Sequence, residues 1–266
     1  MYYLGLYWTF IKISLKTMVE YRMDTIVMGL AQIAGYFANF LVIAVMVSKF
    51  QTMGGWNAYE IMLLYAFNLL AYAVASLFLY RTCNNLAGQI RTGELDAILT
   101  KPTNPLMYLC TSGFVTGYWA HILLSLVLMC FCFLKLGVAF TFSKILLLIL
   151  SIIGGALIQG AIILITTVPA FWTVKGDAIR EIPWVARDFI QYPITIYHKA
   201  IQFLLTFVVP YAFISFFPLQ YFLGKNDFSF FHPAFQFLTP IVGIVLFFLA
   251  YRFWLYGLKH YNSSGS

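Results

Sequence analysis

Long apolar runs, each close to the length of a membrane crossing, alternate with short polar intervals along the 266 residues of the chain. A spanning helix needs about 20 mostly apolar residues. Six stretches meet that length, 25–47, 58–80, 106–134, 145–171, 200–222 and 236–257, with connections at 48–57, 81–105, 135–144, 172–199 and 223–235. The pattern predicts an all-α polytopic membrane protein with six transmembrane helices. Residues 1–24 follow a different rhythm. Leu4, Tyr7, Trp8, Ile11, Leu15 and Met18 fall on one side of a helical wheel, and Thr9, Lys12, Lys16, Glu20 and Asp24 on the other. A helix so divided is expected to lie in the membrane interface; the alternative is an extension of the first span. The expected organisation is an amphipathic helix over 1–24, a six-span domain over 25–257 and a tail over 258–266.

Local signals refine this outline. Asn57 with Glu60 three residues later reads as a capping box that starts the second span. Pro210 and Pro218 are expected to kink or break the fifth. The aromatic, turn-rich run from Asp227 to Phe235 fits an outer interfacial or re-entrant segment. Ala71 with Ala75, and Ala156 with Gly160, have the spacing of close helix contacts. Polar residues inside the spans are few. Gln32, Gly35 and Asn39 share one face of the first span, Asn68 lies within the second, and Gln159 and Gln202 are further central amides. His121 is the one histidine inside a span. Gln32, Asn39, Asn68 and His121 are the candidates for a substrate path, with hydrogen bonding between helices as the plainer role for each.

Charge is scarce: 16 Lys+Arg and 9 Asp+Glu make up 9% of the chain, against 62% hydrophobic residues. Soluble domains carry about 25% charged residues, so a soluble enzyme, a disulfide scaffold and a disordered chain are excluded. The net charge of +7 is spread singly, without a basic run, which argues against nucleic acid and for membrane topology. With the N-terminus inside, twelve basic residues fall on inner segments (Lys12, Lys16, Arg22, Arg81, Arg91, Lys101, Lys175, Arg180, Arg187, Lys199, Arg252, Lys259). Only Lys49, Lys135, Lys144 and Lys225 fall outside. Both termini are therefore expected to be cytoplasmic.

The centre of every expected span lacks Asp, Glu, Lys and Arg, which disfavours ion coupling through carboxylates. Energy for any uphill transport is expected from outside the membrane. No phosphate-cradling GxxxxGK[ST] occurs, nor GxSxG or HExxH. The cysteines Cys83, Cys110, Cys130 and Cys132 have no metal-site spacing and read as small buried hydrophobes, and no metal site is expected.

The most informative connection is 81–105, RTCNNLAGQIRTGELDAILTKPTNP. Gly93 suits a helix break, and Glu94 and Asp96 suit the first turn of a new helix. Leu95, Ile98 and Leu99 would form its apolar face, fit either for docking in a groove of another protein or for lining an interfacial turn. The run IRTGELDAILTKPTNPL (90–106) closely resembles the IRxGELDxxLxxPxxPL signature of ABC-2 type permeases, the membrane subunits of bacterial ABC exporters. GGWNAYEIMLLY (54–65), LLTFVVPYAFISFFPLQYFLGK (204–225) and the ending GLKHYNSSGS (257–266) are also similar to that family. Lys101, where the family often has Arg, and the details of the tail depart from the pattern.

The resemblance implies a six-span permease of the bacterial inner membrane with a cytoplasmic coupling helix formed or flanked by Arg91, Gly93, Glu94, Leu95, Asp96, Ile98 and Leu99. It implies pairing with a second permease, identical or paralogous, on two ABC ATPase subunits. This chain would bind no cofactor, ATP and Mg²⁺ being held by the ATPase. The run DAIREIPWVARDFI within 172–199 suits either a second contact with the ATPase or an interfacial helix. The expected function is export of a hydrophobic or amphipathic substrate. The alternative is a non-transporting assembly or sensor protein that recruits a cytoplasmic partner through 81–105.

Overall fold

A computed structural model describes residues 2–50, 52–173, 187–227 and 231–262. Among them all regular structure is helical, apart from a lone β-bridge between Met53 and Trp56. Helices α1 (Tyr2–Glu20) and α2 (Arg22–Phe50) meet at Tyr21. α2 contains the first expected span.

Helix α3 (Ala58–Arg91) is the axis of the molecule. The expected capping box starts it: Glu60 N–H donates to Asn57 Oδ1 (3.0 Å), and Asn57 N–H donates to Glu60 Oε2 (2.7 Å). Every residue from Glu60 to Ala73 is buried. At 34 residues the helix runs about 51 Å. That exceeds a hydrocarbon core about 30 Å thick, so the helix is longer than a single crossing needs.

The stretch 106–134 was expected as one helix and is two. Helix α5 (Pro105–Ser112) ends at Gly113, and α6 (Trp119–Leu136) begins after a short 3₁₀ turn. The break is stable because Val115 N–H, released from helical bonding, donates to Leu77 O on α3 (2.9 Å). Helix α7 (Phe142–Thr167) follows and ends in a 3₁₀ turn, Val168–Phe171. It packs between α3 and the last helix, which spans Thr239–Lys259. Small residues permit this closeness. Gly154 lies against Gly243, and a Cβ on Gly154 would sit 2.7 Å from Thr239 O. On the other side Gly155 faces Ala71 of α3.

The fifth expected span, 200–222, is replaced by a hairpin. Helix α8 (Lys199–Phe203) passes into a π-turn over Leu204–Val208, and α9 (Phe216–Leu223) follows a short 3₁₀ turn. The two arms, Lys199–Val208 and Tyr211–Leu223, are bent by 79°. Pro210 lies at the bend, whereas Pro218 lies in the first turn of α9, where a missing N–H costs nothing. Both ends of the hairpin meet the same tight turn before α3. Ile196 and Thr195 pack on Gly54, within 2.8 and 3.0 Å of where its Cβ would be. Lys225 Nζ donates to Gly55 O (2.7 Å). A segment that starts and finishes beside residues 54–55 enters and leaves on one side.

The connection 172–199 is corrected with it. Phe171 packs in a cluster with Leu86, Leu95 and Trp254, toward the C-terminal end of α3. Ile190 and Ile194 pack with Trp56 and Tyr65, toward the other end. Phe171 and Ile190 therefore lie toward opposite ends of α3, and the described ends of 172–199 do not share one face. Most of the DAIREIPWVARDFI run lies outside the described residues.

Among the described residues four helices are long and apolar enough to cross a membrane: α3, α6, α7 with its 3₁₀ extension, and the last helix, α10 (Thr239–Lys259). The bent pair would be a fifth only if it crossed.

Candidate functional site

Two features stand out, a charged projection at the C-terminal end of α3 and a polar cleft along its middle. The projection begins at Gly93, whose φ of +75° is a left-handed conformation that favours glycine. The chain turns there into the short helix α4 (Glu94–Leu99). Leu95 is fully buried, Ile98 is buried and Leu99 partly so, in one cluster with Leu86, Leu106 and Leu109. The apolar face, suited from the sequence either to docking or to an interfacial turn, is turned into the protein, packed with the end of α3 and the start of α5.

The outward face of α4 is polar. Arg91, Thr92, Glu94, Ala97 and Thr100 are exposed, and Asp96 is half-buried. Two braces hold this platform. Lys101 Nζ donates to the Tyr108 hydroxyl (2.5 Å) and lies 4.0 Å from its ring centre. Tyr108 in turn packs edge-on against Phe10 of α1, with centroids 5.4 Å apart. Asn104 Nδ2 donates to the Tyr251 hydroxyl on α10 (2.7 Å). These contacts tie the corner between α4 and α5 to α1 and α10.

The cleft follows one face of α3. Asn68 Oδ1 accepts from Gln159 Nε2 of α7 (3.0 Å), and both amides are buried. Tyr72 shares a hydroxyl–hydroxyl hydrogen bond with Tyr118 (3.2 Å). His121 on α6 lies among aromatic rings, 4.4 Å from Tyr36 and 4.9 Å from Tyr118. Its Nδ1 is buried without a hydrogen-bond partner. Arg187 places its guanidinium carbon 4.5 Å from the centre of the Tyr72 ring. A cavity of about 320 Å³ opens beside these groups, with Tyr36, Tyr65, Asn68, Tyr72, Arg187 and Tyr192 in its wall. The tip of the hairpin closes the neighbouring hollow, where Tyr211 meets Tyr72, Gln159 and Arg187.

Of the four residues expected along a path, Asn68 lines the cavity and His121 stands beside the rings that form its wall. Gln32 is half-buried on α2, one turn from Tyr36, with its Oε1 unpartnered. The Asn39 side chain lies outside the described residues. Sequence reasoning missed Arg187, which it placed with the cations of an inner loop. The i, i+7 pair Tyr65 and Tyr72 was the readable signal for an aromatic polar face.

Apolar helices around a polar internal cleft, with a braced charged projection at one end, define a polytopic membrane protein of the transport class. The family model described as "ABC-2 family transporter protein" matches residues 33–265, and the chain belongs to that family. No curated protein and no solved structure matches it. Members of the ABC-2 family are membrane transport components that generally work with ABC ATPase partners.

Proposed function

We propose that the chain is the permease subunit of an ATP-driven ABC exporter in the bacterial inner membrane, moving a hydrophobic or amphipathic substrate out of the cytoplasm or the inner leaflet. The observation that carries the proposal is α4, a short helix whose apolar residues anchor it inward while Arg91 and Glu94 project outward. A helix that only linked two spans would not need bracing to α1 and α10. The outward face docks on an ABC ATPase, with ATP and Mg²⁺ bound there, and a second permease completes the complex. The end that carries α4 and both chain termini is cytoplasmic.

The mechanism is mechanical. α3 is continuous from the docking end at Arg91 to the opposite end at Ala58. A rigid-body displacement of α4 therefore moves the wall that carries Asn68 and Tyr72 and reaches the turn that holds the hairpin. The cleft opens alternately to the two sides as that wall shifts.

Replacing Glu94 and Asp96 together by Lys is the test. It should abolish co-purification of the cognate ATPase and substrate-stimulated ATP hydrolysis while membrane insertion stays intact. Unchanged co-purification and turnover would reject the coupling role of α4.

A further inference from the structure

We infer that the groove between α6 and α7 binds one anionic phospholipid, its acyl chain in the groove and its head group on Lys144 and Lys135. The site is separate from the cleft and the projection, and it goes beyond the permease reading without depending on it.

Consecutive antiparallel helices joined by a short turn are expected to pack on each other. α6 and α7 are joined by residues 137–141 alone and each packs closely along α3, yet the two scarcely meet. The gap between them is a cavity of about 380 Å³. Its floor is Met129 and Phe133, both buried, and Leu148 and Ile152 form the α7 side. Apart from the Cys130 thiol, the described lining carries no polar side chain. Such a surface suits an alkyl chain and offers a polar solute nothing to bind.

The depth of the groove selects its occupant. Along α6 it runs from Gly137, at the helix end, back to Leu126, about 16 Å along the axis. That is about half of a hydrocarbon core 30 Å thick, the reach of one leaflet. Phe131 meets Tyr59 at the start of α3, with centroids 6.0 Å apart, so the mouth lies at the end opposite α4.

Cations stand at that mouth. Lys144 is one turn before Leu148 and two before Ile152 on the same face of α7. Helical side chains lean toward the N-terminus, which carries the Lys144 amine toward the membrane surface while its half-buried stem stays against apolar groups. Lys135 is exposed in the last turn of α6, its amine 5.9 Å from the Phe131 ring centre. Among the described residues neither lysine makes an ion pair, so both charges are available to a phosphate. The exposed Thr141 and Ser143, which share a hydroxyl hydrogen bond (3.0 Å), offer hydroxyls to the same head group. A second copy of the chain fits less well, because a two-fold contact through this face sets the lysines of one copy against those of the other.

The probes are dipalmitoyl phosphatidylglycerol, the phosphatidylcholine of the same chains and glycerol 3-phosphate. Each is titrated against the delipidated full chain in a neutral maltoside detergent and read by native mass spectrometry. Phosphatidylglycerol should form a one-to-one adduct at lower concentration than phosphatidylcholine, each lysine contributing about fivefold to the preference. Lys135→Gln combined with Lys144→Gln should bring the two lipids level. The unmodified chain reports where the lipid sits. Cys130 is exposed and the other three cysteines are buried, so N-ethylmaleimide should alkylate Cys130 first. Phosphatidylglycerol should slow that step, and glycerol 3-phosphate should leave it unchanged. Equal adducts of the two lipids with the unmodified chain, a preference that survives in a folded double variant, or an adduct that leaves Cys130 as reactive as before overturns the site. Glycerol 3-phosphate that binds as well as the phospholipid overturns the groove and leaves a surface anion site. A dimer whose Cys130 is shielded before lipid is added overturns the lipid in favour of a contact between copies. No ATPase is present, so failure here is distinct from failure of the α4 docking test.

Discussion

The two ends of α3 are built by opposite rules. At its N-terminal end charge is consumed within the chain. Lys225 Nζ lies 3.1 Å from Glu60 Oε2, donates to Gly55 O and sits 5.1 Å from the Trp56 ring centre. Glu60 also accepts from the Asn57 amide, and Trp56 is fully buried against Phe216. At the C-terminal end the apolar residues are consumed and the charges are turned out, with Leu95 fully buried and Glu94 exposed. The first arrangement holds the chain to itself. The second leaves charge available to another molecule, while the helix that carries it is fixed from behind.

The sharpest way to break this contrast is to ask which face each end occupies, since the answer is all or none. Single cysteines at Lys199 and Asn226, in a chain with its own four cysteines replaced by Ala, should both be labelled from the outside by a membrane-impermeant maleimide. A cysteine at Thr92 should be labelled only from the cytoplasm. Labelling of Lys199 and Asn226 from opposite faces would turn the hairpin into a crossing and remove the basis for comparing the two ends.

Energetic effects come next. Leu95→Ala empties a fully buried site and should destabilise the chain by about 2–5 kcal/mol, seen as a lower thermal midpoint and faster proteolysis near α4. If the leucine face docked on a partner, the isolated chain would show almost no change. Glu60→Gln removes the charge partner of a mostly buried Lys225 and weakens the cap of α3. About 1–2 kcal/mol should be lost, together with faster labelling of a cysteine at Asn226. A neutral result would mean that the closed end owes its stability to Trp56 and its neighbours alone.

Much of this contrast was legible in the chain, and the parts that were not share a cause. The box at Asn57 and Glu60 depends on neighbours three residues apart, and it formed as spacing required. The small pair Ala71 and Ala75 likewise foretold the approach of α7. The hairpin was not legible, because hydropathy measures how apolar 200–222 is and not where its ends return. Only the contacts of Thr195, Ile196 and Lys225 with Gly54 and Gly55 reveal that, and each spans well over a hundred residues of sequence. The error propagated. With 172–199 read as an inner loop, Arg187 was set apart from the spans, whose centres appeared free of charge. The face of α4 stayed open for a related reason, since periodicity finds an apolar stripe without saying whether the chain's own α3 and α5 or a partner covers it.

Glu94→Gln is the counterpart of Glu60→Gln at the other end, the same loss of charge in the first turn of a helix. Because Glu94 is exposed and faces away from the packed side of α4, the substitution should move the stability of the isolated chain by no more than about 0.5 kcal/mol. The thermal midpoint in detergent measures it directly. Its effect should appear only when the ATPase is added, as severalfold weaker co-purification. A midpoint shift as large as that of Glu60→Gln would show that Glu94 is spent on the fold like its counterpart. Charge at the two ends would then serve one purpose, and α4 would lose its claim as the surface on which a partner acts.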